Sequence, residues 1–159
     1  MKKLIVLSAI ATLTSGTVLA DDLSVTGAVP SVCEVSSIDA AASFPALAKD
    51  SFTEVPFTMQ CNDVDGATVK LTSSEGHLQT VDGDDGTGIG YTAKLTAGPF
   101  GLTLVADSGV NDIFEEDSQS GTPAMAAGGM AGKILLTVTE TPVYSGVYAD
   151  MLMLSVTAN

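Results

Sequence analysis

Arginine and tryptophan are absent from the 159 residues, and histidine occurs once. Each absence excludes a class of function. Phosphate backbones and anionic lipid surfaces are held by clustered lysine and arginine. Six lysines against nineteen acidic residues cannot supply such a cluster, so neither nucleic acid nor an anionic membrane is an expected partner. The single His77 leaves too few nitrogen ligands for a metal centre of the superoxide-dismutase type. It is also the sole candidate base for a Ser/His/acid hydrolase. Its surroundings, SSEGHLQT, are turn-like and hold no nucleophile-elbow pattern. Cysteine is scarce as well: Cys33 and Cys61 are the only two, and in an exported chain they are read as one disulfide.

Long apolar runs are missing beyond the N-terminal segment. There, Lys2 and Lys3 precede LIVLSAIATLTSG, and Val18-Leu19-Ala20 offers small residues for cleavage. Residues 1–20 are therefore expected to be an export signal, too short to span a bilayer comfortably, with Asp21 opening the mature chain. Taking 20 from 159 leaves 139 residues, the size of one ordinary domain with a real core. The signal carries two of the six lysines and none of the acids, so four lysines face nineteen acids, a balance of −15. Such a charge suits the solubilising surface of an exported protein.

What is present reads as strand. Residues 52–61 (FTEVPFTMQC) place Val55, Phe57, Met59 and Cys61 on one face, and residues 67–73 (ATVKLTS) do the same with Val69 and Leu71. Further strands are predicted at 88–97, 100–106, 133–140 and 147–159, separated by the turn-forming stretches NDVDG, DGDDGTG, AGP and YSG. The only helix candidate is 36–49, and Pro45 argues against it. Residues 111–121 (NDIFEEDSQSG) read as an acidic, turn-rich segment, and residues 122–132 (TPAMAAGGMAG) as a long loop. Several short strands, intervening turns and one disulfide predict an all-β sandwich.

Sites for chemistry are few. In the acidic turn 82–88, Asp82 and Asp84 imitate the opening of a calcium loop, but Gly86 stands at the third ligand position and Ala93 where the closing glutamate belongs. The acids sit in turn contexts that define no catalytic carboxylate pair. No catalytic residue, metal or cofactor is assigned, and an enzyme is not expected.

The two ends of the mature chain carry more information. In YADMLMLSVTAN, Tyr148, Leu152, Leu154 and Val156 share one face, and Met151, Met153 and Ser155 the other. Strands apolar on both faces are usually central and covered, yet no later strand follows this one, so a free edge that invites another strand is expected. Near the start, Leu23, Val25, Gly27 and Val29 alternate in the same way. Residues 22–31 could pair with the 147–159 strand in the same molecule or in another one.

Taken in order, LSVTGAVPSVCEVS (23–36), VPFTMQC and ATVKLTSSEG (55–61 and 67–76), IGYTAKL (89–95) and KILLTVTETPVYSGVYADMLMLSVTAN (133–159) resemble chaperone–usher pilus subunits. The likeness is greatest to the spore coat protein U-like, archaic pilin branch. The resemblance implies an immunoglobulin-like sandwich that lacks its last strand and is completed by a donor strand from another subunit. Residues 21–31 would then be the donor-strand extension and 32–159 the pilin domain, with Leu23, Val25, Gly27 and Val29 entering a groove lined by Leu152, Leu154 and Val156. A periplasmic chaperone, an outer-membrane usher and other copies of the chain or sibling pilins are the implied partners. The implied product is a surface fimbria serving adhesion or biofilm formation. The chain departs from the pattern in its short extension, with Pro30 marking the end of the donor segment, and in its lack of tryptophan. The rival reading is a secreted, non-polymerising sandwich that binds a receptor and completes its own fold with residues 22–31.

Overall fold

The structure is a computed structural model, and it describes residues 23–81 and 88–159. The expected export signal lies outside the described residues. So does the acidic turn 82–88, apart from Gly88.

The strands are β1 (Cys33–Ser36), β2 (Phe52–Cys61), β3 (Ala67–Ser73), β4 (Gln79–Thr80), β5 (Tyr91–Ala97), β6 (Phe100–Ala106), β7 (Ile113–Gln119), β8 (Met130–Val138), β9 (Tyr148–Ala149) and β10 (Leu152–Ala158). A short helix, α1 (Pro123–Ala127), precedes β8. Every ladder is antiparallel. One sheet has the order β1-β2-β8-β5-β6, a second β10-β3-β7, and β4 pairs with β9 alone. The fold is all-β.

Period-two alternation sets the faces. Val55, Phe57, Met59 and Cys61 of β2, Ile134, Leu136 and Val138 of β8, and Tyr91, Ala93, Leu95 and Ala97 of β5 turn inward. There they meet Val69 and Leu71 of β3, so both sheets contribute to one core. Cys33 lies directly opposite Cys61 in the β1–β2 ladder, and the two are joined by a disulfide. Strand β1 stops early. Ser37 takes a left-handed conformation (φ 56°) that turns the chain off the sheet. Two residues beyond the end of that ladder stands Pro56, where a missing N–H breaks no bond to β1.

Two expectations are corrected. Residues 111–121 are not simply a turn-rich segment: Ile113–Gln119 form β7, paired along its length with β3. It is an edge strand, where charged side chains are tolerated on both faces, which is why no apolar alternation marks it. Nor are residues 122–132 one loop. The Thr122 hydroxyl accepts a hydrogen bond from the Met125 N–H, Pro123 opens the helix, and Met125 is buried beneath it. Strand β8 then begins at Met130, three residues before the predicted start. The 36–49 stretch forms no helix.

Candidate functional site

The site is built around β10. Two hydrogen bonds at its ends fix the phase of its ladder: Ser74 N–H donates to the Met151 carbonyl at 3.0 Å, and Asn159 N–H to the Gly66 carbonyl at 3.2 Å. In an antiparallel ladder the bonding direction alternates residue by residue. Met151, Met153, Ser155 and Thr157 therefore turn their backbone groups toward β3. Leu152, Leu154, Val156 and Ala158 turn theirs to the other side. Among the described residues no strand pairs with β10 on that side. Strand β1 runs near it without forming a ladder.

The side chains of Leu152, Leu154 and Val156 point inward and are half-buried against the core. The opposite face leaves Met151 65% exposed. Thus the residues with unsatisfied backbone directions are also those whose side chains border the interior. Beside them opens an apolar cleft of about 640 Å³. Its floor is Val55, Leu71, Ile134 and Leu136, one wall is Leu152 and Leu154, and the other is the irregular segment 38–47. Val156 lies beyond the cleft's lining.

Asp150 closes one end of this cleft. The Ser73 hydroxyl and the Tyr91 phenol both donate to its Oδ2, while the N–H groups of Glu75 (3.0 Å) and Met151 (2.7 Å) donate to Oδ1. The Ser73 hydroxyl also accepts from the Gly76 N–H at 2.9 Å. One carboxylate thereby joins the end of β3, the start of β10 and, through Tyr91, the opposite sheet. Tyr91 is only 2% exposed. Burial, and then its bond to the carboxylate, pushes its phenol far above the ordinary value, so it stays a neutral donor.

The N-terminal residues are arranged differently. Leu23, Val25 and Val29 are 87%, 85% and 86% exposed, and a side-chain carbon added to Gly27 would meet nothing within 4 Å. None of residues 23–31 belongs to a strand. The root of this segment is held. The Asn62 side chain accepts from the Val32 N–H (2.7 Å) and donates to the Pro30 carbonyl (3.0 Å), and the Ser31 hydroxyl donates to Asp63 (3.2 Å). Donor and acceptor residues named from the sequence are therefore not brought together within one chain.

His77 is half-buried with its ring between Gly88 and Gly109, where an added side-chain carbon would collide with it at 2.1 and 2.7 Å. Packing accounts for this histidine. Among the described residues, no three of His, Cys, Asp or Glu gather as a metal site requires.

No family model matches this chain. A search of curated proteins gives no match either. The geometry of β10 and of the N-terminal segment thus carries the functional argument. The sequence reading missed the 38–47 wall and the Ser73–Tyr91–Asp150 cluster. The hydroxyl partners of Asp150 lie 59 and 77 residues away, beyond the reach of any local pattern.

Proposed function

We propose that this protein is a structural subunit of a cell-surface fimbria, and that it polymerises head to tail by donor-strand complementation. In this reading the two sheets form an immunoglobulin-like sandwich short of one strand. Residues 21–31 of one molecule supply that strand, through Leu23, Val25, Gly27 and Val29, to β10 of the next. The observation that carries the proposal is the mismatch between the two ends. An alternating apolar segment stands in solvent, while a strand edge with backbone groups turned outward flanks an apolar cleft.

The energetics favour such pairing. Extended strand addition takes its affinity from backbone hydrogen bonds and its specificity from alternate side chains in pockets. Covering Leu23, Val25 and Val29 is worth about 1.5–3 kcal/mol each. The Leu152, Leu154, Val156 and Ala158 backbone groups would gain shielded partners, each worth about 1 kcal/mol net. Such a contact joins unlike surfaces and so propagates instead of closing. Export to the periplasm, a chaperone that shields the open edge, an outer-membrane usher and a place in the shaft belong to the same proposal. So does kinship with the spore coat protein U-like pilins.

The test is an SDS gel of the purified exported protein, boiled and unboiled. A ladder of multiples that collapses to one band on boiling is the expected result. A single monomer band in both lanes, from folded material, would overturn the proposal and favour a non-polymerising binding module.

A further inference from the structure

One wall of the cleft beside β10 is a segment without regular secondary structure. After Ser37 turns the chain off the sheet, the segment 38–47 lines the cleft's second wall. Among the described residues no hydrogen bond holds residues 37–47 to the frame; bonding resumes only where the Ala48 carbonyl and N–H meet Ser51 and where the Asp50 N–H reaches the Val138 carbonyl. The segment is seated instead by Phe44 and Leu47, both half-buried against the core. Between Ser37 and Phe44 stand Ala40, Ala41 and Ala42, which are exposed and offer little to grip.

We propose that residues 37–47 are a movable strap. It covers the cleft while β10 lacks a partner and gives way when a donor strand pairs there. This inference rests on the donor-strand reading above. Apolar contact is non-directional, so a strap held by two such side chains can shift without breaking a hydrogen-bonded ladder. Its seated position shields Leu71, Ile134 and Leu136 from water and from unsuitable strands, the hazard of any open apolar edge. Opening then limits how readily a donor binds, because the apparent affinity scales with the open fraction.

The chain contains no tryptophan, so Phe44→Trp installs a single reporter at the strap's anchor. The full exported chain, freshly refolded and dilute, would be mixed with a labelled synthetic peptide of residues 21–31, with binding followed by the label's anisotropy. The expected result is a red shift of the indole emission in step with binding, as the ring leaves the apolar cleft. In a second variant, Leu47→Ala, loosening the other anchor should raise the rate of peptide binding by about tenfold through a larger open fraction. Peptide binding with unchanged emission and an unchanged Leu47→Ala rate would overturn the strap and leave the donor-strand reading standing. No binding to any of the proteins would overturn both.

Discussion

Val25→Asp separates folding from assembly. Val25 is 85% exposed and belongs to no strand, so the substitution removes little contact from the folded chain. The stability of the monomer should change by less than about 0.5 kcal/mol, as for other surface substitutions. In the polymer the same side chain would enter the cleft beside Leu152 and Leu154. There the change forfeits about 1.5–3 kcal/mol of aliphatic burial. It also buries a carboxylate with no cationic partner, which costs several kcal/mol more. A combined loss of about 5 kcal/mol weakens the junction by roughly three to four powers of ten. Two measurements check this: urea unfolding of the monomer, and the unboiled gel ladder at matched concentration. The expected outcome is an unchanged urea midpoint with the ladder gone. A ladder like that of the unsubstituted protein would refute the reasoning. A midpoint that falls together with the ladder would refute it differently, by showing that Val25 stabilises its own domain.

Three further outcomes concern the frame of the site. Reducing Cys33–Cys61, which are separated by 28 residues, should cost about 3–4 kcal/mol on the chain-entropy account, read as a lower urea midpoint with reductant. Asp150→Ala leaves the Tyr91 and Ser73 hydroxyls and the Glu75 N–H without their acceptor, so a loss of about 2–4 kcal/mol is expected from the same unfolding curves. Tyr91 holds its proton more tightly folded than unfolded. Its contribution is therefore intact below the unfolded value of about 10 and declines above it by about 1.4 kcal/mol per pH unit. Stability measured from pH 9 upward should fall less steeply in Tyr91→Phe; equal slopes would contradict the assignment.

How far the sequence prefigures this molecule depends on how far each feature is local. Strands β2, β3 and β6 begin and end where their alternation predicts, because each buries one face on the core and period two is the visible trace of that burial. Alternation put Leu152, Leu154 and Val156 on one face, but with Met151 and Met153 on the other it did not say which face turns inward. The pairing of Cys33 with Cys61 followed from there being only two cysteines. Strand β7 escaped because its Glu115, Glu116 and Asp117 satisfy an edge position that demands no apolar face. Helix α1 left a faint signal in Thr122-Pro123, overshadowed by the small residues that follow. The predicted strand at 147–159 is interrupted at Asp150, whose four donors are Ser73 of β3, the Glu75 N–H just after it, Tyr91 of β5 and the adjacent Met151 N–H. No window of sequence contains that cluster. The strap has no period at all, and only the docking of Phe44 and Leu47 reveals it.

The disulfide has a mechanical meaning for the proposed fimbria. In such a filament, tension would enter each subunit through its N-terminal segment. The first covalent junction it reaches is Cys33–Cys61, one residue beyond the Asn62-held root at Val32. Force arriving there passes through the sulfur bridge into β2, which pairs with β8 from Phe52 to Met59. The four-residue β1, too short to resist being peeled from its neighbour, is bypassed. Pulling there would act on the β2–β8 ladder and leave the short β1–β2 ladder unloaded.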